Sequence, residues 1–218
     1  METQGIKYAG SKRKIIPHIL QTLSETQGVR TVLDGFSGST RVAQAFAQSG
    51  LNTTANDTAV WSEVFANCYL KSDKPDSFYA EILAHLNTLQ GVDGWFTEHY
   101  GGGPDDRKKP FQIKNTRKLD AIRDEIDRIG LDFVDKSVVL TSLILALDSV
   151  DSTLGHYASY LSGWSVRSNK DLRLKLPKRF ALTSENTVLR GDVFDAIQGR
   201  SFDLAYFDPP YGSDNAKM

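Results

Sequence analysis

The sequence predicts an α/β chain in which a parallel sheet of nucleotide-binding type is interrupted by a mainly helical insertion. Three observations carry that expectation. Four short apolar segments each run into an acidic residue, at Asp34, Asp57, Asp192 and Asp208. The first of them passes through a glycine-containing turn into a helical pattern, the opening half of a nucleotide-binding unit. Between the second and third lies a long stretch, residues 71–183, of loop-rich and helical character. An apolar share of 40% over 218 residues supports a real core, in one large domain or a domain with an insertion.

Ile15, Ile16, Ile19, Leu20 and Leu23 follow helical spacing, with Ser11 as a candidate cap and Pro17 early enough to be tolerated. Val29–Leu33 reads as a buried strand ending in Asp34-Gly35-Phe36-Ser37-Gly38-Ser39-Thr40. The next helix places Val42, Ala45 and Phe46 on one face and stops at Gly50. Glycines in the turn admit a ligand close to the backbone, and the helix start offers unpaired N–H groups. A second strand, Asn52–Asn56, ends in Asp57, about 20 residues past the turn and well placed for ribose hydroxyls. The turn lacks a full glycine triplet and any Gly-Lys-Ser/Thr, which favours an adenosine ligand without a pyrophosphate.

A further helix is expected from Ala59 to Leu70. Residues 72–110 read as loop-rich, with Gly101-Gly102-Gly103-Pro104 as the clearest break. Asn115 is the expected cap of a helix carrying Leu119, Ile122, Ile126 and Ile129, and a buried helix follows from about Ser137 to Asp148. Thr187–Arg190 is the third strand, followed by Gly191-Asp192. Phe202–Phe207 is the fourth, stopped by Pro209 and Pro210, which cannot donate ladder hydrogen bonds. Four carboxylates at successive strand ends predict one polar crevice along the carboxyl edge of the sheet, where open α/β sheets bind ligands.

The net charge of −1 does not mark a nucleic-acid binder, so basic character is sought locally. One basic stretch holds Arg107, Lys108, Lys109, Lys114, Arg117 and Lys118; another holds Arg167, Lys170, Arg173, Lys175, Lys178 and Arg179. Phe111, His156, Tyr157, Tyr160, Trp164 and Phe180 stand nearby, a mixture suited to phosphate and base contacts. A solvated surface is the better explanation of either stretch alone; their common location between two halves of a nucleotide-binding fold brings the two readings level, and a buried His beside packed tyrosines is an equal alternative for His156 and Tyr160. No 18-residue apolar run suggests a membrane span. The single cysteine, Cys68, leaves no internal disulfide and no Cys-rich metal site, and reads as a small buried residue.

Two motifs carry a family resemblance. Lys7-Tyr8-Ala9-Gly10-Ser11-Lys12 is similar to the Lys-Trp-Ala-Gly-Gly-Lys motif of the Dam-like class of DNA N6-adenine methyltransferases, and Asp208-Pro209-Pro210-Tyr211 resembles the catalytic motif of those enzymes. The resemblance implies a Rossmann-like methyltransferase sheet and S-adenosylmethionine as cofactor. Tyr8, Lys12, Asp34, Phe36, Gly38, Asp57 and Asp192 would bind the cofactor, and Asp208, Pro209, Pro210 and Tyr211 would be catalytic. Arg167, Lys170, Arg173, His156 and Tyr160 would meet DNA. No metal is implied. Thr40 departs from the family by standing where a second glycine is usual, and its hydroxyl is a candidate donor to the methionine carboxylate.

The implied reaction is methyl transfer to the N6 of an adenine flipped from duplex DNA, in the cytoplasm of a bacterium or phage host, by a monomer with a cognate restriction endonuclease. Residues 1–70 and 184–218 would form the methyltransferase domain and 71–183 the inserted target-recognition region. Such sheets have seven strands and four are found, so a C-terminally truncated sheet is expected. Transfer to cytosine N4, an RNA base or a protein amide, a non-catalytic DNA-binding fragment, and an NAD-type dehydrogenase remain as alternatives.

Overall fold

A computed structural model describes residues 1–7, 12–103, 109–156, 159–161 and 163–209, with only the backbone at 154–156 and 159–160. Four strands form its central sheet: β1 (Thr31–Asp34), β2 (Asn52–Asp57), β7 (Thr187–Arg190) and β8 (Leu204–Tyr206). All pairs are parallel, in the order β7-β2-β1-β8. The chain builds outward from β1 through β2 to β7, then returns to the other side of β1 with β8. The topological switch point therefore lies between β1 and β8, where a crevice opens at the carboxyl ends of parallel strands. Register aligns those ends: Asp34 stands beside Ala55 and Tyr206, and Asp57 beside Arg190.

Helix α1 (Ile16–Glu25) follows a short 3-10 turn, Lys12–Lys14, and carries Pro17 in its first turn. Its apolar face meets α2 (Arg41–Gln48) in a cluster built on Val32, Val42 and Phe46, with Ile19, Leu20 and Leu23. Left-handed backbone at Gly50 ends α2 as expected. Helix α3 (Val60–Ala66) runs on into a π-helical turn, Asn67–Lys71. Together they carry Phe65, Cys68 and Tyr69, which pack on Tyr79 and Val138. This seam joins the sheet layer to a helical layer of α4 (Asp76–Thr88), α5 (Trp95–Tyr100), α6 (Ile113–Ile129) and α7 (Phe133–Val150). Two small pairings complete the layer: β3 (Gly101–Gly102) with β4 (Phe111–Gln112), and the antiparallel hairpin of β5 (Thr153–His156) and β6 (Ser159–Tyr160).

Residues 72–110 hold helices α4 and α5 rather than mainly loops. Tyr79, Leu83 and Leu86 give α4 its buried face at spacings of three and four. Helix α5 is short and locally weak; its first N–H groups, of Phe96 and Thr97, are satisfied by the Asp120 carboxylate of α6 at 2.9 Å each. Asn115 caps no helix. It is buried within the first turn of α6 and bonds to the chain at 170–172 instead. Helix α7 starts earlier than expected, because Asp132 accepts the Asp135 N–H as its cap.

One extended segment, residues 170–176, belongs to no sheet yet is built like a strand. Leu172 and Leu174 are buried in the core of α4, α6 and α7, while Asp171, Arg173 and Lys175 face outward. Such alternation has the strand period. Asparagine side chains replace the missing ladder: Asn115 accepts from Leu172 N and donates to Lys170 O, and Asn87 accepts from Leu174 N and donates to its carbonyl, all at 2.9–3.0 Å.

Candidate active site

The carboxyl edge of the sheet gathers the predicted acids. Asp34 ends β1 and is fully buried. One carboxylate oxygen accepts the Ala43 N–H at 3.0 Å; the other makes no well-formed hydrogen bond among the described residues, although the Phe36 N–H also pulls on the carboxylate. Burial pushes its carboxyl up to about 7, and the nearby Asp57 and Asp208 charges add to the effect. Asp57 ties the edge together: its oxygens accept from Gly38 N at 2.8 Å and from Ala59 N at 2.9 Å. Asp192 caps α8 (Val193–Ala196) through Phe194 N at 2.8 Å.

Asn56 is a participant that sequence reading missed. Its buried side chain donates to the carbonyls of Gly35 and Gly191, at 3.2 Å each, linking the turns after β1 and β7. Its amide oxygen, like Asp34 Oδ1, is buried without a partner among the described residues. The signal was an amide one residue before the acid that closes a strand. Two orphaned acceptors at the ends of adjacent strands, beside further carboxylates, form an edge that a ligand rich in donors or positive charge would satisfy.

The turn after β1 is held by steric necessity. A Cβ on Gly35 would lie 2.7 Å from the Phe207 ring and 3.1 Å from Val193. Phe207 packs edge-on against Phe36 at 6.3 Å, so the residue before Asp208 rests on the β1 turn. Phe207 is 48% exposed and Phe194 73%, a pair of ring surfaces on a polar edge that the sequence reading did not single out. Thr40 has φ 59° and ψ 12°, the left-handed region, where a β-branched residue is strained. It is fully buried, donates to Ser39 O at 2.8 Å and accepts from Gln44 at 3.0 Å. Its hydroxyl thus serves the fold, which corrects its suggested role as a donor to ligand.

Lys12 joins the two ends of the chain. From the 3-10 turn, its ammonium lies 2.6 Å from Asp208 Oδ2, and both side chains are about one-fifth exposed. The last residue of the N-terminal motif thus meets the first residue of the Asp-Pro-Pro-Tyr motif. Tyr8, Pro210 and Tyr211 lie outside the described residues. So do the side chains of His156 and Tyr160, whose backbone forms the β5–β6 hairpin.

The basic stretches divide sharply. Arg117 pairs with Asp93, Lys114 with Asp171, and Lys118 donates to the last carbonyls of α4 while burial pulls its ammonium pKa down. Arg167 grips Asp151 at 2.6 Å and the carbonyls of Asp151 and Thr153. Lys178 pairs with Glu2, and Arg179 with Asp76 while lying 4.4 Å over the Tyr79 ring. Most of these cations thus hold the protein's own chain. Lys170, Arg173 and Lys175 remain exposed. Cys68 is buried, and burial pushes its thiol up to about 12, so it is a packing residue and no nucleophile. Among the described residues no three His, Cys, Asp or Glu side chains are grouped as metal ligands, and no helix is long and apolar enough to cross a membrane.

The chain that forms this parallel sheet, with its switch point beside Asp208 and Lys12, is matched by a family model. The model for the D12 class N6 adenine-specific DNA methyltransferases covers residues 8–218. The chain belongs to that family. Relatives of this D12 chain include the modification methylase StsI of Streptococcus sanguinis, 29% identical over 95% of the chain and 34% of that protein. The type II methyltransferases M.NlaIII of Neisseria lactamica and M.CviAII of Paramecium bursaria Chlorella virus 1 are 26% and 30% identical, each over 95% of the chain and 65% and 64% of their own lengths. The D12 chain thus spans between about a third and two thirds of these relatives. Methyltransferases of this kind use S-adenosylmethionine in general.

Proposed function

We propose that this chain methylates the N6 amino group of an adenine in duplex DNA, with Asp208 and the Pro209 carbonyl as its catalytic acceptors. The observation that carries the reading is the position of Asp208: directly past β8, at the switch point, with Lys12 on its carboxylate and the acidic edge of β1 and β2 beside it. An adenine amino group is a poor nucleophile because its lone pair is delocalised into the ring. Acceptors on its two hydrogens draw it toward a tetrahedral nitrogen, and they bind more strongly as positive charge develops there, so they favour the transition state over the bound base. A carboxylate has about four lone-pair sites, so Asp208 can keep Lys12 while accepting from the base. Lys12 fixes the orientation of that carboxylate before the base arrives.

S-adenosylmethionine supplies an electrophilic methyl group on a sulfonium centre, next to an ammonium and two ribose hydroxyls. The site's residues fit such a ligand. Asp34 and Asn56 offer unpartnered buried acceptors, and Asp57 retains acceptor capacity beyond its bonds to Gly38 and Ala59. Phe36 and Gly38 would line the same turn, Asp192 would lie at the adenine side, and Tyr8 would approach with the N-terminal motif. The exposed rings of Phe194 and Phe207 give the edge apolar faces for a planar group. Tyr211 would stack on the flipped base. Residues 71–183 would supply target recognition, and a restriction endonuclease of the same specificity would be the cellular partner.

Expression in a methylation-deficient bacterium, followed by mapping of N6-methyladenine, tests the reading. Methylation in one sequence context, lost in Asp208→Ala, is expected. Methylation on cytosine N4, or equal methylation by the Asp208→Ala protein, would overturn it.

A further inference from the structure

The basic stretch around residue 170 does two different jobs, and only part of it is available to a partner. Arg167, Lys178 and Arg179 are engaged within the fold, and so are Lys114 and Lys118 of α6. Arg173 and Lys175 differ from all of these. Both are exposed, and no ion pair or hydrogen bond of their side chains occurs among the described residues. They project from the same side of the extended segment, which turns Leu172 and Leu174 into the helical core. Two residues along an extended chain advance about 6.6 Å. That spacing lets neighbouring cations meet neighbouring phosphates of one nucleic-acid strand.

The segment is also held rigid in a way a solvated loop does not require. Asn115 and Asn87 bind its backbone at Lys170, Leu172 and Leu174, and Ser142 donates to the Lys175 carbonyl at 2.7 Å. A groove of about 880 Å³ runs alongside, between α4 and the start of α6. Arg173 and Lys175 stand on its rim and Ala80, Leu83 and Ala84 line its α4 wall. Asp171, the next residue on that face, is paired with Lys114 of α6, and exposed Lys170 precedes it. A fixed backbone bearing two cations one strand-repeat apart suits neighbouring phosphates of one strand.

We infer that residues 170–175 form a phosphate rail: Arg173 and Lys175, with Lys170 at its end, track one DNA strand and set the duplex's position without reading its sequence. The inference rests on DNA being the substrate. It adds that Arg167, nearby in sequence and equally basic, ties the turn before the segment to Asp151 and Thr153 and touches no phosphate. Phosphate contacts release condensed counterions, so the rail must appear in the salt dependence of binding.

The test measures binding of the full chain to a mixed-sequence duplex by fluorescence anisotropy, across a series of KCl concentrations, for the unchanged protein, Arg173→Gln/Lys175→Gln and the control Lys74→Gln. Each lost phosphate contact lowers the slope of log affinity against log salt by about 0.9, so the double variant should lose roughly 2 from the slope, equivalent to about a twelvefold smaller fall in affinity between about 50 and 200 mM. The control should keep the parental slope, and the loss should be equal for duplexes of different sequence. An unchanged slope in the double variant, or a loss confined to one sequence, overturns the rail. Arg173→Ala/Lys175→Ala, with a matching thermal melt, guards against a folding artefact. Methylation is scored separately: a protein that binds with the predicted slope but never methylates DNA sinks the enzymatic reading and leaves the rail standing, whereas active methylation with an unaltered slope does the reverse.

Discussion

Replacing Asp34 by Asn should make the protein more stable in alkaline solution and less able to bind its cofactor. Asp34 is fully buried, and its carboxyl titrates near 7 against an ordinary 3.8. The folded protein therefore holds this proton to higher pH than the unfolded chain does. Between these two values the folded state binds more protons, so stability falls as pH rises and the penalty is complete above about 7. At about 1.4 kcal/mol per pH unit, burying the ionised carboxylate costs on the order of 4 kcal/mol. Asparagine keeps an acceptor for Ala43 N and removes the charge, but it aims an amide donor where Asp34 Oδ1 has no partner, a loss of roughly 1–3 kcal/mol at every pH. The diagnostic is therefore the trend. Urea unfolding without cofactor, from about pH 4.5 to about pH 8.5, should show the variant gaining on the parent by several kcal/mol and levelling off above neutrality. A difference that stays flat with pH would refute a buried, strained carboxylate at Asp34. For the parent, cofactor affinity should rise with pH up to about 7, because a cation beside Asp34 favours its ionised form.

Other substitutions separate roles within the site. Lys12→Met removes the ammonium from Asp208 while keeping side-chain length; kcat should fall roughly tenfold to a hundredfold, with the KM for cofactor changed by less than about twofold. If the loss appears in that KM instead, Lys12 acts on the cofactor rather than on Asp208. Gly35→Ala drives a Cβ to 2.7 Å from the Phe207 ring. Because that ring is half exposed and can swing away, the melting temperature should change little while activity drops at least tenfold through displacement of Asp208, and normal activity would show that Phe207 does not position its neighbour. Asn115→Ala strips the buried Leu172 N–H and the Lys170 carbonyl of their partner and should cost about 2–4 kcal/mol in urea unfolding; a cost under about 0.5 kcal/mol would mean that the extended segment does not depend on its clamp.

The sheet was legible because each of its strands announces itself locally. Val32-Leu33, Ala55-Asn56, Val188-Leu189 and Leu204–Tyr206 are short runs closed by a turn or a proline, and no distant residue is needed to recognise them. The candidate acids followed from the same pattern. What failed depended on residues far apart in sequence. Helix α5 exists because Asp120 satisfies its first N–H groups, and Asn115 is a clamp because the 170–174 segment lies across it. Whether a cation is available is also a tertiary fact: Arg167 and Arg173 look alike in sequence, yet Asp151 claims one and the other stays exposed. The alternation of Leu172, Leu174 and Leu176 with charged residues was the overlooked signal for the extended segment, because the stretch was read for charge rather than for period.

The first residues of the chain are held mainly from α2. Arg41, Gln44 and Gln48 lie on one face of α2, three and four residues apart, and all reach the N-terminal arm. Arg41 donates to the carbonyls of Thr3 and Gly5 at 2.6 and 2.7 Å, Gln44 exchanges hydrogen bonds with the Gln4 backbone, and Gln48 donates to Glu2 O. At the far end of the arm, Lys7 N donates to Asp148 near the end of α7. The same Gln44 side chain bonds Thr40, the strained residue that starts α2 at the end of the β1 turn. The helix that braces the turn expected to carry the cofactor thus also braces residues 2–5 of the N-terminal arm. The strain at Thr40 is sustained because Gln44, itself tied to the Gln4 backbone, over-determines it from the arm's side.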